Sequence, residues 1–358
     1  MASLKLYELP DNVLKNVLQQ METIELIELT FVSRRSKEKI TEMEFSVENL
    51  TFNEDWISLE FEWKEKQFIF SFTNDTSQIN GYRVIDNISY FWSTNPSENT
   101  ISTVTKEVRK YMKAFDYFCE LFKVKNYGCE VSKPFHKNKL IELPKKIKFM
   151  KLGEKMTKKE EISNVMKYFE IEESLDILGE IDCFHEKMLN VNTIYIDIAS
   201  NLSIEEINRL NNKRIEIYEH KFSSEDMKIF LKNWKKNKTN LEYLKVNNES
   251  ECIEMEEMLD GLNAKPFDPE GRDQYYELPD ADVDCENYMD IERDFDGKLA
   301  SVGIDGINLE VFVWDDPFPS KKWENVEEEE EEEEEENGEG EGDEMKDTVD
   351  ALESLKVI

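Results

Sequence analysis

The residues that could do chemistry are few and scattered. Three histidines stand at His136, His185 and His220, and five cysteines at Cys119, Cys129, Cys183, Cys252 and Cys285. A zinc centre would need ligands at short fixed spacings, and no CxxC or comparable spacing occurs. A nucleophile elbow, a phosphate loop and an HExxH helix are all missing from the chain. Asp280-x-Asp282-x-Asp284 imitates the opening of a calcium loop, but its sixth position is Cys285 rather than glycine and its twelfth is Ile291 rather than glutamate. Gly338, Gly340 and Gly342 alternate with glutamates that would repel a phosphate. No cofactor and no metal is therefore expected. The cysteines read as reduced thiols, since their odd number makes no disulfide framework.

What remains is binding, and composition limits the partners. The chain has 358 residues, 39% hydrophobic and 35% charged, with a net charge of −35. Residues 324–358 carry −16 of that charge and the rest −19. Such a surface is repelled by phosphate backbones and by anionic lipid, so neither nucleic acid nor membrane is an expected partner. The N-terminal MASLKLYELPDN lacks the apolar region of a secretory signal, and no apolar run approaches a membrane span. The expected location is cytoplasmic or nuclear, and the sequons at Asn49, Asn74, Asn87 and Asn201 are chance matches.

The elements that would carry binding begin at the N-terminus. Leu9-Pro10 precedes Asp11 and Asn12, a helix start. Val13, Leu14, Val17, Leu18 and Met21 then recur at helical spacing. Thr23 is placed to cap a second helix with Ile24, Ile27 and Phe31 on one side and Leu26, Leu29 and Val32 on another. Ser33-Arg34-Arg35-Ser36 leads into a third helix that includes Ile40. A unit of about 35 residues has too little interior to consume apolar residues on so many sides, so some should face another domain or another protein.

This stretch resembles an F-box, and most closely that of the nematode-expanded F-box proteins. Leu9, Pro10, Val13, Leu14, Val17, Leu18, Leu26, Leu29, Val32, Ser33 and Arg34 fall on the family pattern of Leu-Pro, apolar pairs, a Leu-rich second helix and Val-Ser-Arg. It departs at Ser36-Lys37, near which many F-boxes carry a tryptophan. The resemblance implies that Leu9, Pro10, Val13, Leu14, Val17 and Leu18 bind a Skp-type adaptor. Leu26, Leu29 and Val32 either share that interface or close the unit's own core.

Farther along, periodicity alternates. Residues 57–63 and 68–72 suggest a hairpin turning at Glu65-Lys66, with further strands at 82–85 and 88–92. Residues 93–100 read as turn, and an apolar stripe from Val104 to Phe122 as a helix of about five turns. From about residue 140 short strands (148–152, 193–198, 214–218, 241–246) alternate with helical stretches (158–169, 203–210, 223–234). Ser203 with Glu206 and Ser223 with Asp226 are capping-box pairs. Repeated strand-helix-strand order implies parallel pairing, at spacings close to a leucine-rich repeat. Residues 260–287, with Pro266, Pro269, Gly271 and Pro279, read as a mobile loop. Glu327–Glu336, an unbroken run of glutamates, should keep the tail disordered. Val349, Leu352 and Leu355 form a small apolar stripe beyond it.

Two downstream segments resemble the F-box-associated domain of nematode F-box proteins. In FSSEDMKIFLKNWKKNKTNLEYLKV the matching residues include Phe222, Ser224, Asp226, Phe230, Trp234, Leu241 and Leu244. In YMDIERDFDGKLASVGI they are Asp290, Ile291, Arg293, Asp296, Gly297, Ala300 and Val302. Asp296-Gly297 is also a turn dipeptide between strand-like flanks.

The expected fold is α+β or α/β: a three-helix F-box-like unit (1–45), a hairpin-and-helix region (46–135), an irregular leucine-rich-repeat-like β/α domain (136–320) and a disordered acidic tail (321–358). The resemblance implies a non-enzymatic substrate-recognition subunit of a cullin–RING ubiquitin ligase of the SCF type. It would bridge a Skp-type adaptor in a cullin complex and an unidentified target protein. A catalytic cysteine or zinc RING of its own is not visible. Two other readings stand beside it: an F-box scaffold that does not direct degradation, and an acidic module for basic proteins such as histones.

Overall fold

The computed structural model describes residues 6–314, apart from 54–55, 62–65, 74–78, 80, 86, 105–107, 133–142, 157, 248–252, 279–281, 295 and 306. The described residues all fall within one compact unit. The expectations for the acidic run and the stripe Val349, Leu352 and Leu355 therefore lie outside the described residues, as do those for His136, Cys252 and Asp280.

Three helices open the chain: α1 (Asp11–Gln20), α2 (Thr23–Val32) and α3 (Arg34–Glu42). Pro10 is the extended residue before α1, where its lack of an N–H costs nothing. The cap of α2 is Glu22 rather than Thr23; the Glu22 backbone N–H donates to Glu25 at 3.0 Å, and Thr23 is buried. Ser33 caps α3 by accepting from the Ser36 N–H at 3.1 Å.

The body is one mixed sheet. Strands β1 (Ser46–Phe52), β2 (Trp56–Phe61), β3 (Lys66–Thr73), β4 (Gly81–Ile85), β5 (Ile88–Asn95) and β6 (Thr100–Val104) form its N-terminal part. Helix α4 (Val108–Leu121) follows, shorter than its apolar stripe because Val104 is used by β6. The strand β6 fills the gap between the expected turn at 93–100 and the expected helix from Val104; its residues, Thr-Ile-Ser-Thr-Val, have no marked apolar period.

Next come β7 (Lys123–Val131), β8 (Lys146–Leu152), β9 (Glu170–Ile177), β10 (Thr193–Ile196), β11 (Arg214–Ile217) and β12 (Tyr243–Asn247). From β8 onward each pairs in parallel with the one before it, and β7 pairs in parallel with β1. The crossovers carry α5 (Lys159–Met166), α6 (Ile204–Ile207) and α7 (Ser224–Lys236). Ser223 and Asp226 make the expected reciprocal cap: the Ser223 hydroxyl accepts from the Asp226 N–H at 3.2 Å, and the Ser223 N–H donates to the Asp226 carboxylate at 2.9 Å. One short helix, α8 (Met255–Leu259), follows β12.

The stretch 260–287 is not the free loop expected. It contains β13 (Lys265–Pro266) and a small hairpin, β14 (Tyr275–Glu277) with β15 (Asp282–Asp284). It is anchored through Arg272, buried at 3% exposure. The Arg272 Nε donates to both oxygens of Asp290 at 2.9 Å, and its other nitrogens donate to the Asp273 and Cys285 carbonyls. Pro and Gly content signalled irregular backbone correctly but carried no information about this anchor. Asp290 lies in β16 (Met289–Glu292), which forms the expected hairpin with β17 (Leu299–Asp305), and β18 (Asn308–Val313) joins that edge to β12. Gly297 sits in the turn at φ +75°, the left-handed region glycine tolerates.

In the parallel run the strands show two different faces. Ile194, Ile196, Ile215, Ile217, Leu244 and Val246 are buried in one cluster with Ile207 of α6 and Met227, Leu231 and Trp234 of α7. Residues between them point the other way.

Candidate functional site

The predicted adaptor-binding residues divide by burial. Leu14, Leu18 and Leu26 are 0–1% exposed and belong to the chain's own core. As these helices pack, those three hold the unit together rather than offering surface. Leu9, Val17 and Leu29 are half-buried, Leu9 and Leu29 against that core. Pro10 is exposed, Val13 is 40% exposed and Val32 73%. Pro10, Val13 and Val17 fall at i, i+3 and i+7, one outward side of α1, just beside the Leu14–Leu18 stripe that points in. A single apolar stripe two residues wide thus serves two purposes, because helix geometry turns its halves apart.

The helical unit is fastened to the sheet by a seam the sequence did not announce. Glu28 of α2 accepts from Arg83 Nη2 at 2.6 Å and from Trp92 Nε1 at 2.5 Å. Phe31 meets Trp92 edge-on and stacks on Tyr117 of α4, with ring centroids 5.2 and 5.5 Å apart. The Thr30 hydroxyl bonds to the Tyr117 hydroxyl, and Lys37 pairs with Glu120. Tyr82, Val84 and Phe91 lie outside this seam and are exposed. Tyr82 and Phe91 face each other across the β4–β5 pair. With Val32 they leave apolar surface around the end of α2, beside a groove lined by Tyr82, Val84 and Lys37.

A second candidate surface is the open face of the parallel run. Strand register aligns Glu130, Lys151, Asp176, Tyr195, Glu216, Lys245 and Glu310 in one row across β7 to β12 and β18. The first six are half-buried, and Glu310 is buried under Tyr288 and Tyr243, whose hydroxyls donate to it at 2.9 and 3.4 Å. The β14–β15 hairpin packs Tyr276 and Val283 onto Phe312 and Tyr243 at that end. Gly303 lets the Tyr288 ring lie flat on β17, and at the far end Gly128 does the same for Phe149; a Cβ at either glycine would meet ring carbons at 2.5 and 1.9 Å. This row was missed, although the alternation in Thr-Ile-Tyr-Ile and Arg-Ile-Glu-Ile signals one wet face. Parallel sheets are usually covered on both faces, whereas here the row stays half-buried on one.

The described cysteines keep their protons. Burial pushes the Cys119 and Cys285 thiols up to about 12 and raises Cys129 further. Cys183 and His185 line a common pocket with Lys159. However, burial and Asp182 raise the Cys183 thiol, while burial and Lys187 lower His185, which is the opposite of a thiolate–imidazolium pair. His220 is buried, accepts from the Phe222 N–H at 2.9 Å and stacks on that ring. Asp282 and Asp284 lie in β15, and among the described residues no group of histidine, cysteine or carboxylate side chains could hold a metal.

A three-helix unit seamed to a long mixed sheet, each with exposed surface, sets the class of fold. Comparison with known proteins agrees. The F-box domain family matches residues 6–47, and the family described as F-box associated matches residues 183–246. The second match spans β10, α6, β11, α7 and β12, the centre of the open face. An uncharacterized Caenorhabditis elegans protein is 30% identical over 322 residues, 88% of this chain and 94% of that protein. Another from the same organism is 26% identical over 144 residues, 37% of this chain and 33% of that protein. No solved structure matches the chain. The chain belongs to the nematode-type F-box proteins, in which an F-box is followed by an F-box-associated domain.

Proposed function

We propose that this chain is the substrate-recognition subunit of an SCF-type cullin–RING ubiquitin ligase. The observation that carries the reading is the F-box at 6–47, whose helices keep Pro10, Val13 and Val32 outward while Leu14, Leu18 and Leu26 close the interior. The outward set binds a Skp-type adaptor by apolar burial, with Leu9, Val17 and Leu29 at its margin. The sheet, an irregular stack of the leucine-rich-repeat kind, presents a target protein. Catalysis by this chain is not required: holding the target beside a ubiquitin-charged partner enzyme raises its effective concentration. The place of action is the cytoplasm or nucleus, and neither nucleic acid nor membrane is needed.

The test is a pull-down of the full chain on a Skp-type adaptor. Val13→Asp should weaken capture about tenfold with the melting temperature unchanged, and Leu9→Ala with Pro10→Ala should weaken it while the chain stays folded. Absence of capture by the wild type, where another F-box protein is captured, defeats the proposal. Capture without any effect of the protein on a partner's half-life would instead indicate the non-degradative scaffold.

A further inference from the structure

We propose that the open sheet face around Tyr195 and Tyr218 is the target-docking surface, and that it takes a lysine or arginine side chain from an extended segment of the target. The proposal rests on the receptor reading above and names the class of target for it.

Three observations carry it. First, the face is polar and half-buried over six consecutive parallel strands, while the opposite face of the same strands is closed by helices. Tyr288 and the β14–β15 hairpin wall one end, and Phe149 over Gly128 closes the other. Stacked strand-and-helix units of this type offer a long continuous surface to a partner.

Second, the centre of the face is aromatic. Tyr195 and Tyr218 lie on adjacent strands with ring centroids 5.0 Å apart. Their hydroxyls donate to Asp197 at 3.3 Å and to Glu216 at 3.2 Å. The donors are thereby spent on carboxylates, and the ring faces and remaining carboxylate oxygens present negative charge.

Third, acids sit nearest the rings: Asp176 and Glu216 flank Tyr195 in the row, with Lys151 and Lys245 one strand farther out on either side and Arg214 two residues along β11. Burial raises both phenols, Tyr218 to about 12, and each charged side chain that adds to the rise is an acid: Glu216 and Asp197 for both rings, with Asp176 for Tyr195. Asp176 is itself raised, first by burial and then by Glu216 and Glu130, with Lys151 opposing. A cation seated over the rings relieves all of these groups together, and ring faces add a cation–π attraction that strengthens as water is excluded. A hydrogen-bonding neutral group would gain far less, and an acidic target would be repelled.

The acidic tail also attracts cations, so the experiment keeps the tail constant. Fluorescence anisotropy is measured on the full chain with a fluorescein-labelled Gly/Ser peptide bearing arginine at alternate positions. A peptide with citrulline in place of arginine is the control. Tyr195→Leu with Tyr218→Leu, and separately Asp176→Asn with Glu216→Gln, should each weaken arginine-peptide binding about tenfold with the circular-dichroism melt retained. Tyr195→Phe with Tyr218→Phe keeps the rings and should bind nearly as the wild type. Equal binding by wild type and both lowering variants assigns the interaction to the tail and overturns the proposal, as does equal binding of the citrulline peptide. Adaptor capture is read in parallel. Its loss alone would remove the ligase reading and leave this surface standing; loss of the peptide difference alone would do the reverse.

Discussion

Removing the Asp290 carboxylate should destabilise the C-terminal part of the sheet more than any surface change of equal size. Asp290 receives both Arg272 Nε contacts at 2.9 Å and the Ser301 hydroxyl at 2.7 Å, and Ser301 in turn accepts from Trp314 Nε1 at 2.7 Å. The Arg272 side chain is 0% exposed and that of Asp290 9%, with the guanidinium over the Phe267 and Trp314 rings at 4.4 and 5.0 Å. Asp290→Ala leaves a guanidinium without its carboxylate among rings and carbonyls. The cost of breaking a buried pair on one side is about 3–5 kcal/mol. For a chain of this size that is a fall in melting temperature of roughly 6–15 °C. Arg272→Met with Asp290→Leu removes both charges and should recover most of the loss, because the pair's own desolvation goes with it. Urea unfolding of the wild type, Arg272→Met, Asp290→Leu and the double variant gives the coupling directly. A single-variant loss below about 1 kcal/mol, or strictly additive variants, would show that the pair does not anchor the β14–β15 hairpin and would refute the argument.

Leu18→Ala should cost about 2–5 kcal/mol because Leu18 is fully buried, whereas Val13→Asp should leave the denaturation midpoint within about 0.5 kcal/mol of wild type. Gly128→Ala drives a methyl into the Phe149 ring, and displacement of that ring should cost about 1–3 kcal/mol on a urea curve. Arg293 holds the Asp296 carboxyl down to about 2 through a hydrogen bond at the β16–β17 turn. A carboxylate depressed in the folded state stabilises above its unfolded pKa near 4 and loses that contribution as pH falls toward 2. Asp296→Asn should therefore narrow the stability gap between pH 5 and pH 2, read by thermal melts across that window.

Several elements were legible because their signals are local. The capping pair Ser223 and Asp226, the Asp296-Gly297 turn and the period-3.6 stripes of α1 and α7 need only a few neighbouring residues, and the structure has each of them. Strands β7 and β9 were not read, since Lys-Val-Lys-Asn-Tyr and Glu-Ile-Glu-Glu-Ser are dominated by charges. They pair because of β1, β8 and β10 on either side. The seam by which Glu28, Thr30, Phe31 and Lys37 bind the helices to β4, β5 and α4 was not legible, because it joins residues 55 to 87 positions apart that no local period connects.

The amino-acid order alone determined that the chain opens with helices carrying more apolar residues than their interior can hold, and that strands and helices alternate later. Those are properties of period and cap, written in short windows. Tertiary structure decided which half of the α1 stripe turns outward, since Leu14 and Leu18 find the core and Pro10 and Val13 do not. It also decided that Glu130, Lys151, Asp176, Tyr195, Glu216 and Lys245, spread over more than a hundred residues, form one row. A row across a sheet is set by strand register, and register follows from the packing of every crossover between the strands.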